Sequence, residues 1–318
     1  MSVALAVAPA PLMEEVRCYA CGAAGGTPFV EAEDDLTGKP GRFTFVTCDR
    51  CGLAFQNPRV SLDRIRDYYD EDYIAHRKTN WGLLNTAFER AMNRLDAAKD
   101  RIVSRYVALG PESAVLDVGC GVGSFLQRIR QQYGSAVTGV DFKDLSAHPA
   151  LRGTEFHCGL FYESALADRR FDVVTMWHFL EHDYDPARSL RTARRVLKPG
   201  GHLVVEVPRL DSLTFRLFRH RWPGLQAPQH TVLFDRLHLV RCAEQAGFEI
   251  VDYLPYGAFP AYFYLFTGSA FLLLKGRGLN LRRAIYPYFA GRLLAAPVLA
   301  FEKHLNLAMQ TIVCRRTP

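Results

Sequence analysis

The chain has 318 residues, 49% of them hydrophobic and 23% charged, with a formal net charge of +6. That balance suits a globular protein of one large domain or two, and excludes a disordered or collagen-like chain. The charge is a weak pointer to anionic partners. The eight cysteines, four clustered and four scattered through core-like segments, do not make a disulfide framework and fit a reducing cytoplasm.

The opening "MSVALAVAPAPL" has an apolar stretch without a preceding Lys or Arg, so it is expected to be a disordered leader rather than a secretory signal. "CYAC" and "CDRC" then place Cys18, Cys21, Cys48 and Cys51 as two C-x-x-C pairs. Four thiolates make a closed tetrahedral zinc site, and Gly22 and Gly52 behind each pair permit the left-handed turn that points amides at the sulfurs. "FTFVT" between the pairs reads as a hairpin strand. The expectation is a structural zinc ribbon, with the metal supplying folding energy and no open position for catalysis. Its surroundings are acidic: Glu14, Glu15, Glu31, Glu33, Asp34, Asp35 and Asp49 stand against Arg17, Lys39, Arg42 and Arg50.

"SLDRIRDYYDEDYIAHRK" reads as a helix capped by Ser61, and an amphipathic helix follows from about Leu83 to Val107, with Leu84, Phe88, Met92 and Leu95 on one stripe. Tyr68, Tyr69 and Tyr73 are expected chiefly to pack, covering a ligand as the alternative.

From Ser113 strands alternate with helices. "AVLDVG", "AVTGVD", "TEFHCG", "FDVVTMW", "HLVVEVP", "FEIVDYLP" and "MQTIVCRR" are seven candidate strands, which predicts a doubly wound, mostly parallel sheet with its ligand crevice at the carboxyl ends of the first strands. The loop after the first strand carries Gly119, Gly121 and Gly123, with Ser at 124 and Asp117 two residues ahead, which departs from the dinucleotide pattern G-x-G-x-x-G. Asp141, at the end of the second strand and roughly 20 residues past the glycines, suits both ribose hydroxyls of an adenosyl group. Taken alone it says adenosine, with NAD and S-adenosylmethionine both open.

"VLDVGCGVGSF", "VTGVD", "FDVVTMWHFLEH", "LKPGGHLVVEVP" and "AGFEI" occur in the order and spacing of class I S-adenosylmethionine-dependent methyltransferases, which the chain resembles from about Ser113 to Leu254. The front end, "CDRCGLAFQNPRVSLDRIRDYYDEDYI", resembles the zinc-ribbon leader of a bacterial subgroup acting on sugars, lipid-linked glycans or secondary metabolites. The resemblance implies S-adenosylmethionine as cofactor. It places Asp117, Gly119, Gly121 and Gly123 along the methionine portion, Asp141 on ribose and Phe142 against adenine. It sets Gly159 and Leu160 at the adenine edge, with no acid there for the amino group, and Trp177 and His178 by the sulfonium and the acceptor. Glu181 and His182 match the family's "EH" pair. "WPGLQAPQHTVLF" resembles the family's substrate loop, which makes His230 the first candidate for a base that deprotonates an acceptor hydroxyl and His178 the second.

The expected architecture is α/β: a Rossmann-like seven-stranded methyltransferase sheet with an N-terminal zinc ribbon and a hydrophobic helical insert before the last strand. The expected divisions are 1–58 leader and ribbon, 59–108 helical linker or cap, 109–255 cofactor domain, and 256–318 insert and final strand. Tyr253 to Leu274 carries no formal charge, yet Pro255, Gly257, Pro260 and Gly268 break it, so a spanning helix is not expected. Lys275, Arg277, Arg282, Arg283, Arg292 and Lys303 follow, with Glu302 as the sole acid between Lys275 and Lys303. Apolar surface with positive charge suits peripheral contact of 256–305 with the inner face of the membrane, or a lid over a hydrophobic or lipid-linked acceptor. The alternative is a helical cap or homodimer interface. The expected function is methyl transfer to a small-molecule, glycan or lipid-linked acceptor, in line and to oxygen. The competing readings are a zinc-ribbon RNA base methyltransferase, disfavoured because the ribbon is acidic rather than basic, and a non-catalytic binding partner.

Overall fold

The computed structural model describes residues 12–35, 38–69, 85–166, 170–274 and 281–317. Tyr73, Leu84, Lys275 and Arg277 lie outside them, as do the side chains of Arg282 and Arg283. The front of the chain forms β1 (Met13–Glu14), β2 (Thr27–Ala32), β3 (Phe43–Thr47), β4 (Ala54–Gln56) and β5 (Arg59–Val60), then α1 (Leu62–Ile65) and α2 (Asn85–Ser104). The central part runs β6 (Ala114–Val118), α3 (Ser124–Tyr133), β7 (Ala136–Asp141), β8 (Glu155–Cys158), β9 (Phe171–Trp177), α4 (Pro186–Val196) and β10 (Leu197–Pro208). There follow α5 (Leu213–Phe218), β11 (Val232–Leu233), α6 (Arg236–Gln245), β12 (Phe248–Leu254), α7 (Ala261–Leu274), α8 (Leu281–Leu294), α9 (Ala296–Leu299) and β13 (Met309–Arg316).

Seven of these strands make one sheet in the order β12-β13-β10-β9-β6-β7-β8. β6 pairs parallel with β7 and β9, and β9 parallel with β10, whereas β13 runs antiparallel to β10 and β12. The central strands are buried along nearly their whole length, as expected of Val- and Leu-rich strands covered on both faces. α3 starts after Gly123 and ends at Gly134, both left-handed, and α4 starts at Pro186 behind Asp185, whose side chain accepts from the Arg188 N–H. Ser61 stands at the N-cap position of α1, but its hydroxyl is buried without a hydrogen bond, so it does not cap the helix as the sequence suggested.

The ribbon does not form its sheet alone. β2, β3 and β4 make three strands of a four-stranded sheet whose fourth is β11, paired antiparallel to β4 with Val232 opposite Phe55. Cys18, Val46, Cys48, Leu53 and Phe55 join the same buried cluster as Val118, Val174 and Ile312 of the large sheet. His238 locks the two parts together, with Nε2 on the Cys51 carbonyl at 2.8 Å and Nδ1 on Asp235 at 2.8 Å. The ribbon is therefore built into the wall beside the carboxyl ends of the main strands.

Candidate active site

The four cysteines converge from two turns. Cys18 and Cys51 sulfurs are 3.5 Å apart, as are those of Cys21 and Cys48, and all four lie within 4.8 Å of one another. A zinc ion with Zn–S bonds of about 2.3 Å places its sulfurs about 3.8 Å apart, so this donor set fits the ion. Gly22 and Gly52 have φ of +71° and +82°, and their N–H groups close the turns on the Cys18 and Cys48 carbonyls. Burial raises the pKa of Cys18 and Cys51. Burial also opposes ionisation of Cys48, but amides of Cys51 and Arg50 and the neighbouring thiols outweigh it and bring that thiol down to about 7.

The glycine loop opens at the end of β6. Gly119, Gly121 and Gly123 all have positive φ. A Cβ at Gly119 would come within 2.9 Å of the Phe179 ring and one at Gly123 within 2.2 Å of Leu151, whereas one at Gly121 or Gly159 would meet open space. Those two glycines therefore leave backbone bare toward the crevice. Asp141 braces the loop, its carboxylate accepting from the N–H of Gly121 (2.9 Å) and of Lys143 (3.0 Å). Asp117 is buried and accepts from the Thr175 hydroxyl at 2.6 Å. Burial pushes its carboxyl up to about 7, against the pull of Lys99 and Thr175. Phe142 packs edge-on against Tyr69 at 4.9 Å, and Leu160 precedes the 3-10 turn Phe161–Glu163. Tyr68 is buried in a separate cluster against Phe43.

Lys99 was not singled out by the sequence. It reaches from α2 to stand 5.7 Å from the ring centres of both Phe125 and Trp177, and 3.9 Å from Asp96. Trp177 is buried with its indole N–H unpartnered. The inward face of α2 carries Asp96, Asp100 and Val103, while Phe88, Met92 and Leu95 are half-buried. The apolar stripe is thus the less informative side of that helix.

Beyond β9 lies a cluster of acids and imidazoles. His178 has φ +52°, a costly backbone conformation for a non-glycine residue that here aims the ring between two glutamates. Its Nδ1 is 3.2 Å from Glu181 Oε1 and its Nε2 3.2 Å from Glu206 Oε1. Burial opposes protonation of His178, but the two glutamates outweigh it and carry the ring up to about 9. Glu206 also accepts from the N–H groups of Ala258 and Phe259, which ties the start of the insert to the site. His182 and His230 meet edge to face at 4.4 Å. His182 Nδ1 contacts the Gln229 carbonyl (3.1 Å) and the Tyr69 hydroxyl (3.0 Å), and His230 Nδ1 contacts the Gly224 carbonyl (2.8 Å). Burial lowers the pKa of both, His230 most, so both rings are neutral near pH 7. Gln56 of β4 donates to the carbonyls of Pro228 and His230, so the ribbon shapes the loop that carries His230.

The structure thus gathers the glycine loop, Asp117, Asp141 and Trp177 at one crevice. Tyr69, touching both Phe142 and His182, bridges it to the histidine cluster. Beside the glycine loop and the acid at the end of β7, the sheet is mixed, with antiparallel β13 lying between β10 and β12, which is a methyltransferase sheet rather than an all-parallel dinucleotide-binding one. A family model described as a methyltransferase domain matches residues 88–253, just over half of the sequence, and the chain belongs to that family. An uncharacterized 37.1 kDa protein in transposon TN4556 of Streptomyces fradiae is 36% identical over 163 residues, 46% of each chain. A ubiquinone biosynthesis O-methyltransferase of Pseudomonas paraeruginosa is 38% identical over 97 residues, 28% of this chain and 41% of that one. The matches span less than half the length of these two relatives. In fold the chain is similar to a Galdieria sulphuraria structure provisionally described as a sarcosine dimethylglycine methyltransferase, with TM-score 0.50 and 14% identity over 72% of this chain and 88% of that one. The family implies S-adenosylmethionine, and the residues present fit it: bare backbone at Gly121 and Gly159, an unpartnered Trp177 indole N–H and the buried carboxylates of Asp117 and Asp141.

Proposed function

We propose that the protein transfers a methyl group from S-adenosylmethionine to a small-molecule, glycan or lipid-linked acceptor, at an oxygen atom. The observation that carries this reading is the junction of two environments. The glycine crevice adjoins two neutral imidazoles, His230 buried and His182 half-buried, for whose Nε2 atoms no hydrogen bond is found among the described residues. When bound, S-adenosylmethionine supplies a methyl group on a good leaving group, so placement of the acceptor supplies much of the rate. Asp117 would hold the ammonium, Asp141 the ribose, and Lys99 the carboxylate of the methionine portion. Phe142, Gly159 and Leu160 would frame the adenine. His230 would take the proton of an acceptor hydroxyl at Nε2 while its Nδ1–H stays on Gly224. His178, charged and held between Glu181 and Glu206, would fix that wall of the pocket.

The insert points to a hydrophobic acceptor presented at an anionic lipid surface. Leu273, Leu293 and Leu294 are 83%, 77% and 84% exposed, and Val298 and Phe301 lie bare nearby. Glu302, the sole acid of the stretch, is turned inward, where it accepts from the Ala261 N–H at the start of α7. Among the described charged side chains of the insert, Arg292 and Lys303 are exposed, so the charge it shows there is positive. Among the described residues no helix is long and apolar enough to cross a membrane, and the bare leucines beside positive charge support peripheral contact.

Tritiated S-adenosylmethionine, incubated with the protein and separately with bacterial lipid extract, nucleotide sugars and total RNA, tests this reading. Label should pass to the lipid or sugar fraction; label confined to RNA would overturn the acceptor class.

A further inference from the structure

Glu181, His182 and His230 converge from two segments, the turn after β9 and the loop before β11, and offer ligand atoms within 4.8 Å of one another. The carbonyls of Gln229 and Gly224 can only accept a hydrogen bond, so the two Nδ1 atoms they face carry the protons. Each neutral ring then presents a bare lone pair at Nε2, with no hydrogen-bond partner among the described residues. Glu181 is 1% exposed, and only its Oε1 is used, by His178. Its Oε2 is buried with no partner. Glu181, His182 and His230 thus each bring a ligand atom within 4.8 Å of the other two, and each keeps one polar atom that no described group satisfies. Two imidazole nitrogens cannot satisfy a carboxylate oxygen, whereas a cation satisfies all three.

We propose that Glu181, His182 and His230 bind a divalent first-row metal ion, zinc by donor type, at a second site separate from the four cysteines. Two imidazoles and one carboxylate leave a fourth position open, as in catalytic rather than structural zinc sites. The outer contacts are those of a ligating set: backbone carbonyls hold both Nδ1–H groups, and His178 fixes the far oxygen of the carboxylate. The open position would hold an oxygen of the acceptor, and this part rests on the methyl-transfer reading of the crevice. In the metal-loaded protein His230 would be a ligand and the ion would lower the pKa of the acceptor hydroxyl, whose proton would leave to solvent, so His230 Nε2 would serve as the base only in the metal-free protein.

The test is metal stoichiometry on the full-length, reduced protein dialysed against zinc and, separately, against Co2+. Two equivalents are expected. The cysteine site gives cobalt a strong thiolate charge-transfer band, and the second gives ligand-field absorption without one. Glu181→Gln and His182→Asn should each weaken the second equivalent about 100-fold or more, given that loss of outer-shell contacts alone costs 10- to 100-fold. Both should keep the thiolate band and S-adenosylhomocysteine binding, which shows that they are folded. Cys18→Ser with Cys48→Ser should abolish the band and weaken the second equivalent less than Glu181→Gln does, because β4 supports the His230 loop from outside the ligand set. A wild-type protein that saturates at one equivalent, or a second equivalent that survives both Glu181→Gln and His182→Asn, overturns the site. Two equivalents without S-adenosylhomocysteine binding would instead overturn the functional reading and leave the metal site standing.

Discussion

Replacing Asp141 with asparagine removes one charge while keeping the shape of a side chain that is 6% exposed. In the native structure its two oxygens accept from the N–H groups of Gly121 and Lys143, at 2.9 and 3.0 Å. The amide oxygen of asparagine can keep one of these bonds, in weaker neutral form. Its NH2 group then faces the other N–H, donor against donor. Hydrogen bonds to a charged group contribute roughly 1.5–3 kcal/mol and neutral ones about 1 kcal/mol, so the loop loses roughly 2–4 kcal/mol of organisation. At about 1.4 kcal/mol per factor of ten, affinity for S-adenosylhomocysteine should fall about 30- to 1000-fold. Bonds from Asp141 to a ribose would add to that loss. Melting should change less than affinity, because burial already pushes this carboxyl upward and its removal recovers part of the desolvation cost. Isothermal titration calorimetry of wild type and Asp141→Asn, with a thermal melt of each, gives both numbers. An affinity within threefold of wild type in a folded variant would refute the role given to Asp141.

Other perturbations separate the remaining parts of the account. Affinity for S-adenosylhomocysteine should fall as pH drops below about 7, by up to about tenfold per unit, because protonated Asp117 cannot pair with the ligand's ammonium. A flat profile between pH 5.5 and 8 would remove Asp117 from the site. His230→Gln should cut methyl transfer about 100-fold or more with cofactor affinity nearly unchanged; equal turnover would make His230 a packing residue. Cys48→Ser should lower the melting temperature and weaken transfer more than cofactor binding, since β4 supports the His230 loop through β11 and Gln56. Loss of cofactor binding in equal measure would contradict that division. Wild type should float with anionic liposomes at low salt and Leu293→Asp/Leu294→Asp should not; protein that stays at the bottom and forms a stable dimer would assign the bare face to a second copy of the chain.

The sheet was legible because its strands are short β-branched runs between glycine turns, as in "AVTGVD", which became β7 (Ala136–Asp141). The ribbon was legible in the spacing of Cys18, Cys21, Cys48 and Cys51, since each pair must turn back on one centre. Partners distant in sequence were hidden. β11 is two residues long, and nothing in "TVLF" reveals that Val232 pairs with Phe55. Glu206 sits inside an apolar strand pattern, and its link to His178 follows from the β9–β10 register that sets Glu206 beside Trp177. Lys99 escaped notice because charged residues on an amphipathic helix usually face solvent. Here Asp96 and Asp100 are buried too, the latter bonded to Arg128 and Tyr133 of α3. The pairing of His182 with His230 was half visible: each was noted in its own motif, but not their contact.

The most direct test of the central claim is a calorimetric titration of the full-length protein with S-adenosylhomocysteine and, in parallel, with NADH. One molecule of S-adenosylhomocysteine should bind per chain with a dissociation constant in the micromolar range, and NADH should give no heat. Tight NADH binding with no response to S-adenosylhomocysteine would contradict it.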